Sequence, residues 1–211
     1  MKFQNYFKFV FLTLLFTLFI ALPFLQAQTA STITILIDPG HGGKDPGYVW
    51  SADVQEKNIA MLYAQELARQ LQNQGFATHF THQSADSFVR LEKRVKKIDQ
   101  ARADAFITIH LNPTTADSQT VELLISDQDT TSAQLPRSLQ AALIEQNINT
   151  SISKAKLFVL RYATAPAVMV NLRCGKSAKS VSHWQNATRR KQICQALALG
   201  LTRFFHENPV R

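Results

Sequence analysis

Apolar positions along the chain follow two alternating rhythms. "TITILID" (32–38) is β-branched and apolar, the pattern of a buried strand. Over residues 56–75 the spacing turns helical: Ile59, Tyr63, Leu67 and Leu71 recur every fourth position and Gly75 supplies a stop. Residues 76–82 alternate like a strand, and 87–104 form a second amphipathic helix with Leu91, Val95 and Ile98 on one stripe. Strands follow at 105–112 and 120–126, then a helix at 135–147, a proline-opened strand at 166–172 and a long helix at 184–207. Strands interleaved with helices predict a single α/β domain, with a mostly parallel sheet and helices on both faces. In such sheets chemistry collects at the carboxyl ends of strands. His41 follows the first strand, while His110 and Asn171 are expected at the ends of later ones.

The first segment has a different pattern. Lys2 and Lys8 precede an uncharged apolar run from Phe9 to Leu25, with Pro23 and Ala27 after its centre. Basic, apolar and small-residue regions in that order read as a secretory signal over residues 1–27, cleaved after Ala27 or retained as an anchor. The expected location is therefore exported, in the periplasm or cell envelope. The formal charge of +8 drops by two, to +6, if Lys2 and Lys8 are removed. A basic exported domain suits anionic polymers or headgroups, and ordinary solubility explains it as well. Export argues against nucleic acid as a partner. Cys174 and Cys194 are the only cysteines, so export permits a disulfide without establishing one.

The chemistry-bearing candidates are His41 in "IDPGHGGKDPG", Glu56 at the start of the first helix and His110 in "AFITIHLN". Two imidazoles and a carboxylate form a donor set that catalytic zinc accepts, leaving a fourth position open. Glycines around His41 allow a sharp turn and close backbone approach. The three are far apart in sequence, and a lone histidine at a strand end is more often plain hydrogen-bonded structure.

Several words of the chain, in order and spacing, extend the pattern: "ILIDPGHGGKDPG", "EKNIAMLYAQELARQL", "GFATHFTH", "RVKKIDQARADAFITIHLN" and "APAVMVNL". Together they resemble the zinc-dependent N-acetylmuramoyl-L-alanine amidases of the type 3 family, over residues 33–207. The resemblance implies a single α/β domain and Zn2+ held by His41, Glu56 and His110. It also implies hydrolysis of the amide between muramic acid and L-alanine in peptidoglycan. Peptidoglycan is then the expected partner, an activator protein is left open, and a membrane enters only if the N-terminal segment is retained.

The sequence departs from that family where a proton carrier is expected. The family has a glutamate on its last strand, and Asn171 stands there, followed by Arg173, Cys174, Gly175 and Lys176 in place of the family's usual continuation. An asparagine cannot shuttle a proton near neutral pH. Three readings stay open. Glu122 substitutes, with His82 and His183 as weaker candidates; or zinc alone supports slow hydrolysis with Asn171 orienting water; or the domain binds without turnover. Glu122 equally reads as an edge-strand carboxylate paired with a cation. Thr81-His82 also replaces the family's frequent Thr-Arg. The basic residues Arg173, Lys176, Lys179, Arg189, Arg190 and Lys191 either flank the cleft or form a solvated face, as do Lys93, Arg94, Lys96 and Lys97. Phe204 and Phe205 are expected in the core.

Overall fold

A computed structural model describes residues 32–115, 119–129 and 134–209. The expected signal or anchor at 1–27 lies outside these described residues. Among them, no helix is long and apolar enough to cross a membrane.

The elements are β1 (Thr34–Pro39), β2 (Val49–Ser51), β3 (Val54–Gln55), α1 (Glu56–Gln72), β4 (Ala77–Phe80), α2 (Leu91–Gln100), β5 (Ala105–Thr114), β6 (Val121–Ser126), α3 (Gln134–Glu145), β7 (Thr150–Ala155), α4 (Phe158–Arg161), β8 (Ala167–Gly175), α5 (Ala178–Gln185) and α6 (Ala187–Glu207). Six strands form one sheet in the order β4-β1-β5-β8-β6-β7, and β2 and β3 pair separately. β4, β1, β5 and β8 are mutually parallel, β6 meets β8 antiparallel, and β7 follows β6 in parallel. The sheet is mixed and mostly parallel.

Strand periodicity decides what each face does. Ile35, Ile37, Ile107, Ile109, Val168, Val170, Val121 and Leu123 face one way and pack with Ile59, Tyr63 and Leu67 of α1, Leu139 of α3 and Leu197 of α6. Leu36, Phe106, Ala167 and Met169 face the other way, against Ile98 of α2 and Val159 and Leu160 of α4. Helices thus cover both faces. The second face is only partly apolar: past its small core come Asp38, Thr108, His110, Asn171 and Glu122, which follow the same alternation. Phe204 and Phe205 are buried in the larger core.

Several local expectations change. β5 and β8 run past His110 and Asn171 to the pairing Thr114↔Gly175, so both residues stand within their strands rather than at their ends. The expected C-terminal helix is two helices broken at Asn186, whose side chain accepts from Arg189 N at 2.9 Å and caps α6. β7 was not anticipated, because "TSISKA" contains a single large apolar residue. On α2, Ile98 and Val95 pack on the core as expected, but Leu91 is 49% exposed and Arg94, 3% exposed, is buried in its stead. Cys174 and Cys194 are both buried and not bridged to each other, so the disulfide that export would permit is not formed.

Candidate metal centre

His41 occupies the loop after β1 in a left-handed conformation, φ 64°. Such a backbone is costly for a non-glycine residue and persists only when its surroundings hold it. Arg94 supplies much of that hold. Its Nη1 donates to Asp38 Oδ1 at 2.8 Å and to Pro39 O at 2.7 Å, its Nη2 to His41 O at 2.5 Å, and its Nε to Val89 O at 2.9 Å. Asp38 also accepts from Thr81 Oγ1 at 2.5 Å and Thr108 Oγ1 at 2.8 Å, so the buried charge pair is fully hydrogen-bonded. Arg94 is therefore a buried clamp on the histidine loop, not part of a solvated face.

Two glycines make room for the ligands. A Cβ on Gly40 would lie 2.5 Å from His110 Cε1, and one on Gly47, at φ +66°, would lie 2.6 Å from both Glu56 Oε2 and His41 Cδ2. Glu56 opens α1, with its backbone N bonded to Tyr48 O at 2.9 Å. Its carboxylate is 4% exposed overall and well partnered: Oε2 accepts from Tyr48 N at 3.0 Å and Oε1 from Leu111 N at 3.0 Å.

His41 Nε2 and His110 Nδ1 both stand 3.0 Å from that same Oε1. The rings are 4.8 Å apart between centroids, at 77° to each other. One donor atom from each of His41, Glu56 and His110 lies within 4.8 Å of the other two. On its far side His41 Nδ1 meets Asp45 Oδ2 at 2.9 Å, while Asp45 Oδ1 accepts from Gly47 N at 3.1 Å. The Asp45 carboxylate accepts from Nδ1, so Nε2 is the nitrogen left to a metal beside Glu56. Burial would lower the pKa of His41, but the carboxylates of Glu56 and Asp45 outweigh it and raise it. Burial would likewise raise Glu56, and the two imidazoles outweigh that and hold it well below the usual carboxylate range. The centre is thus polarised to keep positive charge between its rings. Two imidazole nitrogens converging on one carboxylate oxygen, with the outer nitrogen of one ring already committed, fit a borderline divalent ion such as zinc.

Two cavities of about 280 Å³ and 350 Å³ adjoin the centre and share His41, His110, Leu157 and Met169 as walls. The smaller also touches Glu56, Leu124 and Asn171. The larger is walled by Phe88, Leu91, Phe158, Arg90 and Arg94. The basic group at 173–191 lines neither.

Asn171 pairs with His110 on one side and Glu122 on the other, so the three side chains form a row across β5, β8 and β6. Asn171 is 2% exposed, and its Nδ2 donates to Glu122 Oε2 at 2.9 Å. Its Oδ1 is buried without a hydrogen-bond partner. Glu122 is on an interior strand, not an edge. It is separated from His110 by β8 and approached by Arg173 Nη1 at 3.7 Å. His82 is buried beneath the Gly42 turn, and His183 packs on Trp184 in α5 at 5.0 Å. Neither lines the two cavities. Sequence reasoning missed Asp45 and named Arg94 only within a basic group that either flanks the cleft or is solvated. Asp45 carried a signal, four residues after His41 in the same glycine-rich word; Arg94 carried only its place beside a helical stripe.

A family model described as N-acetylmuramoyl-L-alanine amidase matches residues 35–203. The chain belongs to the N-acetylmuramoyl-L-alanine amidase family. Among curated relatives, the Bacillus subtilis (strain 168) protein YqiI is 26% identical over 86% of this chain and 90% of its own length. The amidase LytC of the same organism is 29% identical over 82% of this chain, which spans only 35% of LytC. In fold, the chain is similar to the CwlD amidase from Clostridioides difficile, solved in complex with the GerS lipoprotein. The TM-score is 0.74 at 20% identity, over 83% of this chain and all of that one.

Proposed function

We propose that this amidase-family domain is an exported, zinc-dependent peptidoglycan hydrolase that cuts the amide between N-acetylmuramic acid and L-alanine. The observation that carries this reading is the convergence of His41, Glu56 and His110 donor atoms within 4.8 Å, beside a cleft. When bound, zinc polarises an amide carbonyl and brings the pKa of a water to about 7. The chain's residues prepare that chemistry. Asp45 fixes the His41 tautomer, Glu56 is kept ionised by its two imidazoles, and Leu124, Leu157 and Met169 give the cleft a low-dielectric wall.

Asn171, where the family resemblance places a glutamate, holds no proton to give or take. Turnover is accordingly slower, by roughly 10²–10⁴-fold, than with a carboxylate there. The neutral side chain also favours a second reading, a module that holds zinc and peptidoglycan without turnover. Export rests on the residues 1–27 signal pattern and on the cell-wall role in relatives' names. A lipoprotein partner like that of CwlD is compatible with the domain.

Metal analysis of purified protein is expected to give about one zinc per chain, lost in His110→Ala. Stem peptides released from purified sacculi measure turnover, and Asn171→Glu is expected to increase it. Zinc-free protein with undiminished release would sink the reading.

A further inference from the structure

Asn171 combines two properties that seldom meet in one buried side chain. Its amide nitrogen is fixed, and its amide oxygen is left over. Glu122 Oε2, 2.9 Å away, is an acceptor, so the carboxamide must turn Nδ2 toward it. The opposite flip would set two acceptors against each other. Arg173 Nη1 stands 3.7 Å from the other Glu122 oxygen, Oε1. Strand pairing places Glu122 directly opposite Asn171, and Glu122 itself does not line the cavity that Asn171 lines. Oδ1 is turned away from Glu122 and has no partner, in a residue 2% exposed. A buried acceptor left unmade is expensive, and such groups ask for a ligand that completes them.

We infer that Glu122 is a positioning residue: it locks the Asn171 carboxamide so that Oδ1 offers an acceptor to an amide N–H of a muramoyl-peptide bound in the cleft. The inference rests on the amidase reading and deepens it, since it assigns the contact that recognises the substrate's amide. Glu122 then orients a hydrogen bond and does not itself carry the proton. An interaction present both in the bound substrate and in the transition state changes KM and leaves kcat alone.

The test uses four variants of the full chain, Glu122→Gln, Glu122→Asp, Asn171→Ala and the Glu122→Gln/Asn171→Ala double, with melting curves to show that each folds. Glutamine is isosteric but can present its amide N–H instead of an acceptor, which lets the Asn171 carboxamide flip and satisfies Oδ1 internally. It is expected to raise KM about tenfold with kcat within about twofold. Aspartate remains acceptor-only and recovers part of the loss. In the double variant the Glu122→Gln effect disappears, because there is no amide left to orient.

A second readout needs no turnover. In a titration with a soluble N-acetylmuramoyl dipeptide, the Asn171 side-chain amide NMR signals are expected to shift in the parent. In Glu122→Gln they shift only at about tenfold higher ligand. A parent that neither turns over nor binds the dipeptide sinks the amidase reading. A parent that binds, with Glu122→Gln binding equally well, sinks only the orientation claim. A Glu122→Gln variant whose kcat collapses and loses its acid limb in the pH profile overturns the claim in favour of Glu122 as the proton carrier.

Discussion

Asp45 is outside the ligand set yet determines which nitrogen His41 presents. Its Oδ2 is 2.9 Å from Nδ1, and its other oxygen is tied to the Gly47 amide. With Nδ1 committed to Asp45, Nε2 is the nitrogen left to share a metal with the Glu56 carboxylate. Asp45→Asn keeps the shape and removes the charge that raises the basicity of His41. Partners of this kind are worth 10–100-fold in metal affinity. Because Asp45 is nearly half exposed on its side chain, water replaces part of the loss, and roughly tenfold weaker zinc binding is expected. Competition against a chelator of known affinity checks it, and an unchanged affinity would show that the loop backbone alone orients His41. The contrast between Asp45 and Arg94 shows what a sequence can disclose at this scale. The first shares a short word with its histidine. The second is 53 residues from His41, and its role depends on α2 crossing beneath the loop after β1. No local pattern encodes that crossing.

Among the elements, α3 packs tightly on α6 at Gly200. A Cβ there would lie 2.7 Å from Leu139 Cα and 3.0 Å from Ser138 O, while Ser138 Oγ donates to Gly200 O at 2.8 Å. Backbone cannot yield as a flexible side-chain tip does, so Gly200→Ala forces the helices apart. Despite alanine's better helix propensity, about 0.8–1 kcal/mol, overpacking costs typically 1–3 kcal/mol, and a net loss of stability is expected. Thermal melting of the variant decides it; an unchanged or raised Tm would show that α3 slides freely on α6. The same scale explains which elements were legible. α1 announces itself with four apolar residues at helical spacing, and β1 and β5 by apolar runs buried on both faces. β7 is half-buried along most of its length and carries Thr, Ser and Lys, so its hydrophobic pattern is faint although its pairing with β6 is regular. The break at Asn186 was hidden because no proline or glycine stands between Trp184 and Ile193 to mark it. The His110–Asn171–Glu122 row is a matter of register, which only the assembled sheet fixes.

The molecule as a whole depends on a polar layer beneath the His41 loop, and His82 is its pH-sensitive member. The ring is buried, its Nδ1 meets Thr81 Oγ1 at 3.1 Å, and its Nε2 has no partner. Burial is the main cause that lowers its pKa to about 4; Arg94 and Lys97 of α2 push the same way, and Asp38 of β1 opposes them. The folded chain therefore keeps His82 neutral, while the unfolded chain takes up a proton below about 6.5. Stability rises with pH across the window from about 4 to 6.5 and is lost on acidification through it. In metal-free protein His41 and Glu56 do not mimic this, while His183, also lowered by burial, acts in the same direction in parent and variant alike and cancels between them. The raised pKa of His41 contributes stability below about 6.5 that is lost as pH rises through its folded value. Glu56, held low, contributes above about 4.5 and loses it only in stronger acid. His82→Phe keeps a ring of similar size under Gly42 and removes the titration. Melting curves of the chelated parent and variant are expected to differ little above pH 6.5. Toward pH 4 they are expected to diverge, with the parent losing more. Parallel curves through the whole window would show that His82 takes up its proton in place, and that the layer beneath the metal centre tolerates another cation beside Arg94.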